Sequence, residues 1–171
     1  TVPYAMPNPL YHWTHLELLT AFGIDKRLNP QTAREIFDIC NDRLQNDPDF
    51  TARGLMRHYN VEAVCTTDDP ADDLRYHKQL LDCGFGINVR PTWRPDKAMQ
   101  VENPVAYKAY IERLEQAANM EILRFSDLVE ALQRRHDFFA TMGCRLSDHG
   151  LEEFYSEPCQ EKEAAALFDK E

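Results

Sequence analysis

The sequence predicts an α/β fold, because strands and helices alternate along its second half. Residues 61–66 and 86–90 are short runs rich in β-branched and apolar side chains. Between them, a helix is predicted to begin at Asp69-Pro70 and to end before Gly84, since these residue types are typical of the two ends of a helix. A strand–helix–strand unit of about 30 residues with a right-handed crossover has parallel strands.

Polar residues follow each predicted strand, and we expect them to lie at one edge of the sheet. Residues 66–68, Thr-Thr-Asp, end the first strand, and Arg94 follows the second. A third short strand, residues 144–147, leads directly to Asp148 and His149. Functional sites of parallel α/β folds lie at the carboxyl ends of the strands. These side chains are therefore candidates for one site.

The segment 87–96 is predicted to begin as a strand and to end as a stiff loop. Pro91 has no amide hydrogen for a sheet ladder, so we expect the strand to stop there. Prolines on both sides of Trp93 and Arg94 restrict the backbone that carries them. A guanidinium held in this way can clamp a carboxylate, and the indole can stack on a sugar. Alternatively, Arg94 pairs with Asp96 or another acid, and Trp93 fills an edge of the core.

Asp148 and His149 are candidate catalytic residues. Histidine can transfer protons near neutral pH, and a neighbouring acid can set its tautomer. The alternative is that Asp148 only caps a helix that begins near Gly150.

Helices are also predicted before and after this region. His12 and His15 could share a face of the first helix, but packing and hydrogen bonding explain them better than a metal site without a third ligand. Tyr107, Tyr110 and Leu114 are expected to face inward. The predicted helices outside the strand–helix–strand unit are 11–22, 30–45, 50–59, 105–118, 126–139 and 161–171.

The composition limits the class of protein and its partners. The 171 residues carry a net charge of −10 with 43% hydrophobic and 28% charged residues, which is typical of a globular domain. This charge disfavours nucleic acid or an anionic membrane as a partner. The five cysteines have no CxxC spacing, and no apolar run approaches the length of a membrane span. We therefore expect reduced thiols and a cytoplasmic protein.

Four segments together resemble the uronate isomerase family, whose members are also called glucuronate isomerases. They are NPLYHWTHLEL at residues 8–18, TTDDP at 66–70, PTWRPDKA at 91–98 and SDH at 147–149. No single segment is specific, but their order and spacing together are.

This resemblance implies a branch of the amidohydrolase superfamily, with a (β/α)8 TIM barrel and an α-helical insertion. The family interconverts D-glucuronate with D-fructuronate and D-galacturonate with D-tagaturonate by aldose–ketose isomerisation. The chain is expected to be an interior fragment that is inactive alone, since both of its ends look like cuts. Residues 1–60 would be the end of the insertion, and residues 61–171 would be βα units of an incomplete barrel with about three parallel strands.

The resemblance also implies roles for individual residues. Arg94 matches a family arginine that contacts the substrate, and Trp93, Asp148 and His149 match other motif positions. The family's Asp-x-His-x-His and Asp-x-Arg metal-ligand motifs are absent from this sequence. A divalent metal such as zinc is thus expected only in the full-length enzyme, with none bound by this segment. The expected partners are a hexuronate sugar and further copies of the chain.

Two other functions remain open from the sequence. One is a fragment of a metal-dependent hydrolase of the amidohydrolase type on the same barrel. The other is a non-catalytic α/β module that kept the surface and lost the reaction.

Overall fold

The computed structural model describes residues 2–150 and 157–168. The chain divides into two compact units, Thr1–Val61 and Glu62–Glu171.

The first unit is helical. Its first helix, α1 (Pro9–Phe22), begins after Asn8, whose side chain accepts a hydrogen bond from the Leu10 amide at 2.9 Å. It ends at Gly23, where φ is +68°, so the predicted glycine stop is confirmed. The other helices are α2 (Ala33–Asn46) and α3 (Ala52–His58).

The second helix begins three residues later than predicted. The Asn29 side chain accepts hydrogen bonds from the amides of Gln31 and Thr32, at 2.9 and 3.0 Å. Asn29 therefore caps a turn that precedes α2, and Pro30 lies in that turn.

Both ring nitrogens of His15 are engaged by the backbone of this unit. Nδ1 lies 2.7 Å from the Tyr11 carbonyl oxygen, and Nε2 accepts a hydrogen bond from the Leu28 amide at 3.0 Å. The interpretation of His15 as a packing and hydrogen-bonding residue is confirmed.

In the residues that the structure describes, the second unit contains a parallel pair of strands and four α-helices. Strand β1 (Ala63–Asp68) pairs with β2 (Asn88–Trp93) in a register that aligns their first residues and their last residues. The predicted parallel arrangement is confirmed. The helices are α4 (Arg75–Asp82), α5 (Pro104–Ala118), α6 (Phe125–Thr141) and α7 (Glu161–Phe168), and a short 3-10 helix spans Asp96–Met99.

Strand β2 continues through Pro91, so the predicted stop there is wrong. In the ladder with β1, the Asn88 amide donates to the carbonyl oxygen of Glu62. The Arg94 amide donates to the carbonyl oxygen of Asp68. Alternate residues of a strand point their amides to opposite sides, so the Pro91 nitrogen faces away from β1. Its missing hydrogen removes no bond from this ladder.

The helix after β1 begins at Arg75 and not at Pro70. Asp69 accepts a hydrogen bond from the Ala71 amide at 3.0 Å, which closes a turn instead of a helix. Leu74 then adopts φ of +54°, a left-handed conformation that interrupts any helix. Burial of the Leu74 side chain beside Phe139 offsets the cost of this backbone geometry.

The predicted third strand is present only as a single parallel bridge between Trp93 and Ser147. The Trp93 amide donates to the carbonyl oxygen of Leu146, and the Asp148 amide donates to the carbonyl oxygen of Trp93, each at 3.0 Å. These bonds still place Asp148 beside the end of β2.

The main core lies between α5 and α6. Leu114 and Ala131 are fully buried at its centre, and Tyr107 and Tyr110 are also buried, as the helical spacing predicts. Helix α6 begins one residue before the predicted Ser126 cap, because Asp127 accepts hydrogen bonds from the two amides that precede the helix. Within residues 2–150 and 157–168, no helix is long and apolar enough to cross a membrane.

Candidate functional site

A cavity of about 360 Å³ lies where β1 and β2 end, at their carboxyl ends. We call it the rim cavity. Its lining includes Thr67, Asp68, Asp69, Arg94, Asp96 and Lys97.

Arg94 lies in this lining with 35% of its side chain exposed. Its Nη2 atom is 2.5 Å from Oδ2 of Asp148, and its Nε atom is 3.9 Å from Oδ2 of Asp96. Thr67 donates a hydrogen bond to the same oxygen of Asp148, at 3.2 Å. Asp148 thus orients the guanidinium through a hydrogen bond, and Asp96 adds a longer ion pair to Nε, which is buried and has no hydrogen-bond partner among the described residues. Part of the guanidinium remains accessible from the cavity.

His149 is paired with Asp96 and not with its neighbour Asp148. Its Nδ1 atom lies 2.8 Å from Oδ1 of Asp96, and the Gly150 amide donates to the other carboxylate oxygen at 2.6 Å. Burial raises the pKa of Asp96, but these two hydrogen bonds and the charges of His149 and Arg94 outweigh it. The net pKa lies below the ordinary value of 3.8.

The pairing with Asp96 fixes the tautomer of His149. An ionised carboxylate only accepts hydrogen bonds, so Nδ1 must carry the proton. In the neutral imidazole Nε2 is then an acceptor, and no hydrogen bond from residues 2–150 or 157–168 occupies it. With 43% of its side chain exposed, His149 can exchange a proton with a ligand through Nε2.

The sequence did not identify Asp96 as the partner of His149. Asp96 follows Arg94 by two residues, which suggested an ion pair between them, but its bond to His149 spans 53 residues. The alternative role of Asp148 as a cap for a helix near Gly150 depends on residues 151–156, which lie outside the described residues.

Trp93 lies on a different side of the strand from the rim cavity lining. Its ring packs edge-on against Phe139 at 5.1 Å and against His136 at 5.3 Å. It adjoins the buried cluster that includes Leu74 and Cys144. This position matches the alternative interpretation of Trp93 as a core-edge residue.

The described part of the chain contains no group of three or more His, Cys, Asp or Glu side chains that could hold a metal ion. The guanidinium of Arg94 is in contact with both Asp96 and Asp148, the carboxylates nearest to His149. A cation in that position competes with a metal ion for these oxygens. These residues do not fit a metal centre.

Comparisons with known proteins agree on one family. The sequence profile described as glucuronate isomerase matches residues 1–171. The chain is 59% identical over 170 residues to the uronate isomerase of Bacteroides thetaiotaomicron and, over the same length, to that of Phocaeicola vulgatus. Each match covers 99% of this chain and 36% of the relative, so the chain spans about a third of the length of these curated relatives.

Solved structures give the same result. The crystal structure of uronate isomerase from Thermotoga maritima superposes with a TM-score of 0.87 at 34% identity, covering 99% of this chain and 37% of that one. Glucuronate isomerase from Caulobacter crescentus gives a TM-score of 0.83 at 26% identity, covering 95% and 33%. The family profile spans the whole chain, and on that ground the chain belongs to the glucuronate isomerase family.

Proposed function

We propose that this chain forms part of a hexuronate isomerase and supplies its binding site for the substrate carboxylate. The reactions are the interconversion of D-glucuronate with D-fructuronate and of D-galacturonate with D-tagaturonate. The observation that carries the proposal is the position of Arg94, which Asp148 orients by a hydrogen bond in the lining of the rim cavity, and whose Nε is buried without a hydrogen-bond partner among the described residues.

The cavity lining offers a guanidinium that can bind a carboxylate and several acceptors for hydroxyl groups. Arg94 offers a planar set of donors that matches the two oxygens of a carboxylate. The acidic side chains in the lining accept hydrogen bonds from hydroxyl groups, of which a hexuronate has several. Anchoring the carboxylate at Arg94 would let binding energy from one end of the sugar orient C1 and C2 at the other end.

His149 is the proposed general base. Its Nε2 would take the proton from C2 of the aldose while the C1 carbonyl oxygen gains a proton, which forms a cis-enediol. The proton that O1 gains is the one that the O2 hydroxyl loses, and His149 would return the proton on Nε2 to C1, which gives the ketose. Asp148 is hydrogen-bonded to Arg94 and so lies at the carboxylate end of the bound sugar, where we assign it to orienting the guanidinium and not to proton transfer at C1 or C2.

The finer architecture belongs to the same proposal. Residues 61–171 would be βα units of a (β/α)8 barrel, and residues 1–60 the end of its helical insertion, supported by the parallel strand pair and the two compact units. A divalent metal such as zinc would take its ligands outside the described residues, so we assign it no step here. The complete enzyme is proposed to be a cytoplasmic homo-oligomer.

The test uses a chimera in which this chain replaces its counterpart in the uronate isomerase of Bacteroides thetaiotaomicron. The complete host supplies the parts of the enzyme that lie beyond the matched 36%. We expect the chimera to convert D-glucuronate into a ketose, with the unmodified host as the control. A folded chimera that forms no ketose would contradict the proposal. Hydrolysis of a uronate derivative without isomerisation would instead support the hydrolase alternative.

A further inference from the structure

A buried hydrogen-bonded chain reaches the rim cavity from helix α4. His77 lies on α4 with only 7% of its surface exposed. Its Nε2 atom is 2.7 Å from the Thr66 hydroxyl, and that hydroxyl is 2.7 Å from Oδ2 of Asp68. The chain therefore links a buried imidazole to a carboxylate in the cavity lining.

The number of available protons fixes the direction of these bonds. A hydroxyl has one proton, and both the Asp68 carboxylate at 2.7 Å and the Arg90 carbonyl oxygen at 3.2 Å can only accept, so Thr66 donates away from His77, to the closer and charged Asp68. Nε2 of His77 must then carry a proton and donate to Thr66. The Nδ1 atom of His77 is buried and has no hydrogen-bond partner among the residues that the structure describes.

The same network forms hydrogen bonds to one carboxylate oxygen of Asp68 and none to the other. The Thr92 amide also donates to Oδ2 of Asp68, at 3.2 Å. Among the described residues, Thr66 and Thr92 are the donors to this carboxylate, and both bond Oδ2. With Oδ2 held from two directions, Oδ1 can accept a hydrogen bond from a ligand in the cavity.

We propose that His77 and Thr66 are positioning residues, which hold Asp68 so that it accepts a hydrogen bond from a hydroxyl group of the sugar. This inference rests on the proposed function for the nature of the ligand. It adds a second anchor in the lining of the cavity that holds the carboxylate clamp at Arg94. An unpartnered nitrogen on a buried histidine costs free energy, which is offset if the histidine orients a functional group.

The kinetic test uses single and double substitutions in the chimera. Thr66→Val and His77→Leu should each lower kcat/KM for D-glucuronate about tenfold, because each removes a hydrogen bond in the chain that ends on a charged group. In an Asp68→Ala background, neither substitution should lower kcat/KM further. Additive losses in that background would overturn the proposal, because they would show an effect that does not pass through Asp68.

Two conservative variants separate positioning from a general effect on folding. The His77→Gln side chain keeps a donor near the Nε2 position and should retain most of the activity, whereas His77→Asn places its amide too far back and should not. Gln79→Leu, on the exposed side of the same helix, is the matched control and should leave kcat/KM unchanged. All assays are run well below the unfolding temperature of each variant. Equal loss in the Gln and Asn variants would contradict the proposal.

A measurement independent of activity tests the hydrogen-bond direction. Nitrogen NMR of the chimera with labelled histidine, assigned by the signal lost in His77→Gln, should show a proton on Nε2 of His77. An unprotonated Nε2 would overturn the inference whether or not the chimera is active. An inactive chimera with Nε2 protonated would contradict the proposed function and leave the hydrogen-bonded chain established.

Discussion

The side chain of His149 is bound to Asp96, its Nδ1 atom lying 2.8 Å from a buried carboxylate oxygen. This contact joins the 3-10 helix Asp96–Met99, which follows β2, to the segment that follows Ser147. It sets the tautomer that the proposed general base requires, and it depends on Asp96 being ionised. The ionisation of Asp96 is therefore a measurable property of the site.

Replacement of Asp96 should change how stability depends on pH. The pKa of Asp96 is lowered in the folded protein, so its ionised form stabilises the fold above the ordinary pKa of 3.8. That stabilisation is lost as pH falls below 3.8 through the lower pKa of the folded state. Asp96→Asn should cost about 1–3 kcal/mol of unfolding free energy near neutral pH.

Chemical unfolding of the chimera at a series of pH values checks this expectation. The difference between the parent and Asp96→Asn should shrink as pH falls below 3.8. Asp82→Asn, an exposed position on α4, is the control and should show no such trend. A difference that stays constant down to acidic pH would show that Asp96 contributes through shape and not through charge.

Arg135 should be essential for the loop that follows β1. Its buried guanidinium donates to the carbonyl oxygens of Pro70 and Asp72, each at 2.7 Å, and of Ala117 at 3.0 Å. Arg135→Met leaves one buried and two partly buried carbonyl oxygens without their donors and should destabilise the fold by about 3 kcal/mol or more.

The neighbouring Arg134 is the matched control, since it makes only an exposed ion pair with Glu130 on the same helix. Arg134→Met should cost no more than about 0.5 kcal/mol. Thermal unfolding of the two variants in the chimera gives the comparison. Similar losses at the two positions would mean that the carbonyl oxygens find other donors.

Trp93 should act through packing. Its edge-on contacts with Phe139 and His136 place the ring against the core, away from the rim cavity lining. Trp93→Ala should cost about 3–5 kcal/mol of stability, and Trp93→Phe should cost much less. The KM of Trp93→Phe for D-glucuronate should match that of the parent chimera. A large rise in KM without a loss of stability would instead support stacking of the indole on the sugar.

Local sequence signals predicted the features that depend on neighbouring residues. Helix α1 has a capping asparagine and a terminal glycine, and α5 has inward residues at helical spacing, so both could be identified. The parallel strand pair could be predicted from a strand–helix–strand unit of about 30 residues. Parallel strands in turn predict that Asp68, Arg94 and Asp148 lie at one edge of the sheet.

The features that failed depend on contacts between distant residues. Pro91 is tolerated in β2 because its nitrogen faces away from β1, so no hydrogen bond of the ladder requires an amide there. The sequence alone does not show which side of β2 the partner strand occupies. Helix α4 begins later than predicted because Leu74 packs beside Phe139 in the core with a left-handed backbone, which interrupts the helix. The role of His77 could not be predicted for the same reason. Its hydrogen bond to Thr66 depends on where α4 begins and on which residues of β1 face it.

The most direct test of the proposed function is the kcat/KM of Arg94→Ala for D-glucuronate in the chimera. If Arg94 binds the substrate carboxylate, kcat/KM should fall at least about 100-fold, with Arg94→Lys between the two because it keeps the charge and loses the planar fork. Arg134→Met should keep the parent value. If Arg94→Ala keeps kcat/KM within about threefold of the parent, the substrate carboxylate binds elsewhere and the central claim is wrong.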